Sequence, residues 1–158
     1  MNINKTNPLL LHPLNPWMVK KKWTWFQHQI DAFTAIKQGS DIVVFAPTGA
    51  GKTLTGFINP IEDLVTLKKY KGLHTIYISP LKSLANDIIR NLEKPIKDLN
   101  LKITFQVRTG DTSAYKKQQQ KQKPPNILIT TPESLALLNS YENANYLFQN
   151  LKFIIIDE

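Results

Sequence analysis

Ala46-Pro47-Thr48-Gly49-Ala50-Gly51-Lys52-Thr53 is the stretch that decides how this 158-residue chain is read. It follows the apolar run Ile42–Phe45, expected as a strand, and opens Lys52–Leu67, whose spacing predicts a helix. A loop of this composition between strand and helix is the setting of a phosphate-binding loop. Gly49 and Gly51 permit backbone angles that turn successive N–H groups inward as an anion nest. The helix start at Lys52 adds partial positive charge. Lys52 can reach terminal phosphates, and the Thr53 hydroxyl can hold Mg²⁺. Ala46, Pro47, Thr48 and Ala50 complete the cradle, so residues 46–53 are the expected ATP-binding set.

Outward from this loop the pattern alternates. Thr75–Ile78, Ile103–Val107, Ile127–Ile129 and Phe153–Ile156 are further strand candidates. Between them, Leu81–Leu99 carries Leu84, Ile88, Leu92 and Ile96 four apart, and Glu133–Leu138 also reads as a helix. Ser113–Lys123 is a polar Lys/Gln stretch that reads as a solvated helix face. Upstream, Trp23–Lys37 has helical spacing and stops at Gly39. Residues 1–22, rich in Asn and Pro, read as a loose lead-in, leaving 23–158 as one domain. Strands alternating with helices imply an α/β fold with a mostly parallel sheet flanked by helices on both faces.

Ligands in such sheets bind beyond the carboxyl ends of the strands. Those ends read Ala46–Gly49, Ser79-Pro80, Arg108–Asp111, Thr130–Glu133 and Asp157-Glu158. With a phosphate loop present, Asp157 is the expected Mg²⁺ partner and Glu158 the expected base that orients water. Lys52 and Glu158 are thus the catalytic candidates. Residues 102–132 hold Lys102, Arg108, Lys116, Lys117, Lys121 and Lys123 against Asp111 as the one acid. Arg108, the Thr109 and Thr131 hydroxyls and backbone N–H groups are therefore expected to meet nucleic-acid phosphates.

Composition narrows the choices. The net charge of +8 suits a polyanionic partner. The chain has no cysteine, which excludes a disulfide scaffold, a thiolate zinc site and cysteine catalysis. Its three histidines share no ligand-like spacing. No apolar run approaches a membrane span, and a cytoplasmic location with no membrane partner is expected.

Together these residues resemble the first RecA-like domain of a superfamily 2 DEAD/DEAH (DExH) helicase. Ser79–Asp87 resembles motif Ia, and Arg108–Ser113 and Thr130–Leu135 resemble the next two nucleic-acid-contacting motifs. Asp157-Glu158 resembles the start of the acidic box, and Thr24-Trp25-Phe26-Gln27 resembles the adenine-reading Q motif. The middle segments are similar to Lhr-type DNA helicases, while Ser140–Ala144 and Leu147-Phe148 look most like the ligase-associated DEXH-box branch. The resemblance implies Gln27 on the adenine. It also implies Pro80, Leu81, Lys82, Arg108, Thr109, Gly110, Thr131, Pro132 and Glu133 along the nucleic acid. Its activity would be ATP-driven 3′-to-5′ movement on single-stranded DNA in repair. An RNA helicase lobe of the DEAD-box type and a non-catalytic binding fragment are the alternatives. The family's box continues past Glu158 and its ATP site is shared with a second RecA-like lobe, so a truncated lobe with weak turnover by itself is expected.

Overall fold

Apolar runs become strands here where a parallel neighbour takes their backbone hydrogen bonds. In the computed structural model, which describes residues 7–68 and 70–157, β1 (Thr75–Ile78), β2 (Phe105–Arg108), β3 (Ile127–Thr130) and β4 (Phe153–Ile156) form one sheet. Its order is β2-β3-β1-β4 and every pairing is parallel. Glu158 and residues 1–6 of the expected lead-in lie outside the described residues. The helices are α1 (Asn15–Lys20), α2 (Gln27–Lys37), α3 (Lys52–Thr66), α4 (Lys82–Asp98), α5 (Ala114–Gln122), α6 (Pro132–Asn139) and α7 (Ala144–Phe148), with a 3₁₀ turn at Pro8–Leu11.

The chain divides into two compact units, Met1–Asp63 and Leu64–Glu158. In the second, Ile76 and Leu128 on one face of the sheet form a core with Leu73 and Leu138, to which Leu135, Leu147 and Phe148 add. Those residues come from α6 and α7, so both short helices cover that face. Helix α4 packs on β2 and β3 and buries Ala85, Ile88, Leu92 and Ile96 at helical spacing. Asn126 ties the ends of the strands together. Its Oδ1 accepts from the Thr104 amide at 3.0 Å, and its Nδ2 donates to the Tyr70 carbonyl at 3.1 Å.

In the first unit, Leu9, Phe33 and Ile58 form a core that Trp25, Ile30 and Leu54 extend. The expected loose lead-in is partly ordered instead. Leu9, Leu14, Trp17 and Met18 are buried, because these spaced apolar side chains find a partner surface within the unit.

Ile42–Phe45 departs from expectation. Residues 40–46 adopt no regular structure, and Val43 and Phe45 are 80% and 91% exposed. Burial still alternates along the run, as a strand's would. No described strand pairs with it, and without a ladder an apolar run is not a strand.

Candidate functional site

The loop after Ala46 is built by a tight turn and by its two glycines. The Ala50 amide donates to the Pro47 carbonyl at 3.2 Å. Gly49 and Gly51 have φ of +83° and +73°, angles that favour residues without a Cβ. Helix α3 begins directly afterwards at Lys52, whose ammonium curls back onto the Ala46 carbonyl at 2.6 Å and the Pro47 carbonyl at 3.0 Å. A cation held inside its own loop at a helix start is the arrangement a phosphate group needs, so residues 46–53 fit a nucleotide's phosphates.

Gln29 is the glutamine beside this loop. Its Nε2 donates to the Gly51 carbonyl at 3.4 Å, and its Oε1 accepts from the Phe26 amide at 3.0 Å. A Cβ on Gly51 would stand 2.9 Å from Gln29 Nε2, so Gly51 also makes room for that side chain. Gln27, the residue expected on the adenine, is exposed and donates instead to Asp31 at 2.8 Å. The difference follows from helix geometry: two residues along α2 is about 200° of rotation, so only one of the two can face the loop. Gln29, at the third position of α2, also reaches back to the Phe26 amide at the helix start and so holds its side chain on the loop side.

The second unit gathers the other expected motifs on one edge. Ile78 is level with Thr130 and Ile156, and Thr130 with Arg108. The residues that follow each strand therefore leave the sheet side by side. Pro80, Leu81 and Lys82 are exposed there, as are Gly110, Pro132 and Glu133. The Lys82 ammonium meets both carboxylate oxygens of Asp111, at 3.1 and 3.3 Å. Glu133, in the first turn of α6, is held below the usual carboxylate range by its own backbone amide, by the Thr131 hydroxyl and by the Lys82 charge.

Asp157 stands at the end of β4, where its amide extends the ladder to the Ile78 carbonyl at 2.9 Å. Its carboxylate accepts from the hydroxyl of Tyr77, a fully buried residue of β1. Among the described residues no group of three or more His, Asp or Glu gathers for a metal ion.

Three expected phosphate contacts are placed differently. Arg108 is only 3% exposed, and its Nη1 donates to the Lys117 carbonyl at 2.9 Å and to Gln120 Oε1 at 3.3 Å. Burial pulls its pKa below the usual guanidinium value, and Tyr141 partly opposes that. The side chain pins α5 against the sheet instead of reaching for phosphate. Thr131 is buried, and its hydroxyl caps α6 by accepting from the Ser134 amide at 3.4 Å. Thr109 is buried as well, and its amide donates to the Thr112 hydroxyl at 3.0 Å within the turn. Arg108 is drawn inward by the oxygens that α5 presents over the sheet, and the two threonines are held by hydrogen bonds within their own turns.

Known proteins resemble this chain in sequence and in fold. The chain is 38% identical to ATP-dependent helicase Lhr-Core protein 2 of Thermococcus barophilus, across 95% of this chain and 19% of that one. It is 37% identical to ATP-dependent helicase Lhr-Core of Methanocaldococcus jannaschii, across 95% and 20%. It thus spans about a fifth of the length of the curated relatives it matches. Its fold superposes on the Mycobacterium smegmatis helicase Lhr, solved with ssDNA and AMP-PNP, with a TM-score of 0.86 and 34% identity over 97% of this chain and 21% of that one. The parallel sheet with flanking helices is therefore a RecA-like α/β fold. The family model for DEAD/DEAH box helicases matches residues 26–158, and the chain belongs to that family.

Proposed function

We propose that this chain is the nucleotide-binding lobe of an ATP-dependent DNA helicase that couples ATP hydrolysis to 3′-to-5′ movement along single-stranded DNA in repair. The observation that carries the reading is the loop at the head of α3, with two glycines at positive φ around the Lys52 ammonium. Relatives named as ATP-dependent helicases, and one solved with ssDNA and AMP-PNP, support the same reading.

In this reading Lys52 exchanges the carbonyls of Ala46 and Pro47 for phosphate oxygens, and backbone amides of the loop and of the start of α3 would bind the rest. Gln29, not Gln27, takes the glutamine role beside the loop. Thr53 and Asp157 would hold Mg²⁺, which when bound neutralises charge on the phosphates. Tyr77 fixes the orientation of the Asp157 carboxylate. Glu158 would hold and deprotonate the attacking water. On the strand-end edge, Pro80, Leu81, Lys82, Gly110, Pro132 and Glu133 would line the path of a single strand, with the buried Arg108, Thr109 and Thr131 shaping that edge from beneath. Contacts of this kind follow the phosphate backbone and are indifferent to sequence. A cysteine-free chain suits a reducing cytoplasm.

Equilibrium binding of a fluorescent ATP analogue tests the reading. Lys52→Ala should weaken binding about ten- to a hundredfold, the worth of a charge-assisted contact, with unchanged circular dichroism. Gln29→Ala should weaken it by a smaller factor, and Gln27→Ala should leave it unchanged. Equal affinity in wild type and Lys52→Ala would remove the nucleotide site from this loop.

A further inference from the structure

Lys82 sits on the edge where a nucleic-acid strand is expected, yet its charge is already answered. Its ammonium lies between the two carboxylate oxygens of Asp111, 29 residues away in the chain, at 3.1 and 3.3 Å. Glu133 feels the same cation from the start of α6. Gly110 lies directly beside the pair, since a Cβ there would stand 3.2 Å from Lys82 Nζ. Nearby, the Lys117 ammonium rests on the neutral Gly110 carbonyl at 3.0 Å.

Lys82 is also the first residue of α4, where the helix's own partial charge is positive. A lysine at that position opposes the macrodipole, so its placement does not serve the helix. Lys82 and Asp111 are 53% and 77% exposed, open to an incoming anion and weakly held by each other. A phosphate reaching Lys82 must displace a carboxylate that also repels it.

We propose that Asp111 is an intramolecular counter-ion that competes with nucleic-acid phosphate for Lys82, and so sets the strength and the salt dependence of strand binding on this edge. The inference rests on the proposed reading of that edge as a single-strand path. Asp111 acts through Lys82 and touches no phosphate itself. Its removal leaves one more cation available, which adds one phosphate contact and releases one more condensed counter-ion.

Fluorescence anisotropy of a labelled oligothymidine, titrated at several salt concentrations, tests this with the whole chain and the variants Asp111→Asn, Lys82→Ala and their double. Asp111→Asn should bind about two- to fivefold more tightly at low salt, the span of an exposed ion pair. The slope of log affinity against log salt should steepen by about 0.7, the single-strand value for one phosphate. In the Lys82→Ala background the same Asp111→Asn change should bring no gain. Equal or weaker binding by Asp111→Asn overturns the proposal, because a carboxylate that only braces Lys82 for phosphate gives that sign. An equal gain in the Lys82→Ala background also overturns it, since any lost negative charge would then suffice. If neither wild type nor Asp111→Asn binds oligothymidine at low salt, the strand-path reading itself fails and carries the counter-ion with it.

Discussion

His12 shows how much one side chain can hold in place. Its Nδ1 accepts from the Leu14 amide at 3.0 Å, so its Nε2 must carry the proton that bonds the Ile58 carbonyl at 2.9 Å. The ring stands edge-on to Trp25 and Phe33 and ties the N-terminal turn to α3. Burial lowers its pKa, with the Ile58 carbonyl opposing in part. A neutral, buried histidine contributes stability in full above its unfolded pKa of about 6.5, and that contribution is lost as pH falls through the lower folded value. Urea unfolding midpoints should therefore fall between about pH 7 and pH 5, more steeply in wild type than in His12→Gln, which has no ring to titrate. Parallel slopes for the two proteins would assign the acid sensitivity elsewhere. Nothing in the sequence marks His12 as more than a polar residue in a lead-in, because its partners lie far along the chain.

At the scale of elements, the strand ends were legible and their side chains were not. Thr75–Ile78, Ile127–Thr130 and Phe153–Ile156 stand where apolar runs bounded by turn residues put them, since a buried parallel strand needs little else. The loop of residues 46–53 was legible for a similar reason: glycines and a lysine at fixed offsets are local chemistry. The burial of Arg108 was not legible, because a basic residue beside Thr109 and Gly110 looks the same in sequence whether it points outward or returns under α5. That helix has almost no apolar face. It is held by Arg108, and by buried Gln120, whose Nε2 donates to the Val107 carbonyl at 2.9 Å. Arg108→Ala should cost about 2–3 kcal/mol by leaving buried acceptors unpaired. Differential scanning calorimetry would show a lowered Tm, and hydrogen exchange would show early opening of residues 114–122. An unchanged Tm with weakened oligothymidine binding would restore Arg108 to the strand path.

For the whole molecule, the glutamine beside the loop and the counter-ion on Lys82 were beyond sequence reading because each is a choice between neighbours. Gln27 or Gln29 faces the loop according to where α2 begins, and that depends on Phe26 and its capping partner. Lys82 is open or answered according to how far the turn after β2 reaches. Family membership, by contrast, rests on several local motifs in fixed order and survives an error at any one of them.

Among the described residues β4 has a ladder partner on one side only, β1, and it carries Ile154 and Ile156 at 60% and 73% exposure. An edge strand with exposed apolar side chains is a template on which a like edge can pair. Concentrated solutions of this chain should scatter light progressively, and Ile154→Lys should suppress the scattering while leaving the unfolding free energy within about 1 kcal/mol of wild type. Handling of the polypeptide in the laboratory is thus governed by its last four-residue strand as much as by its ligands.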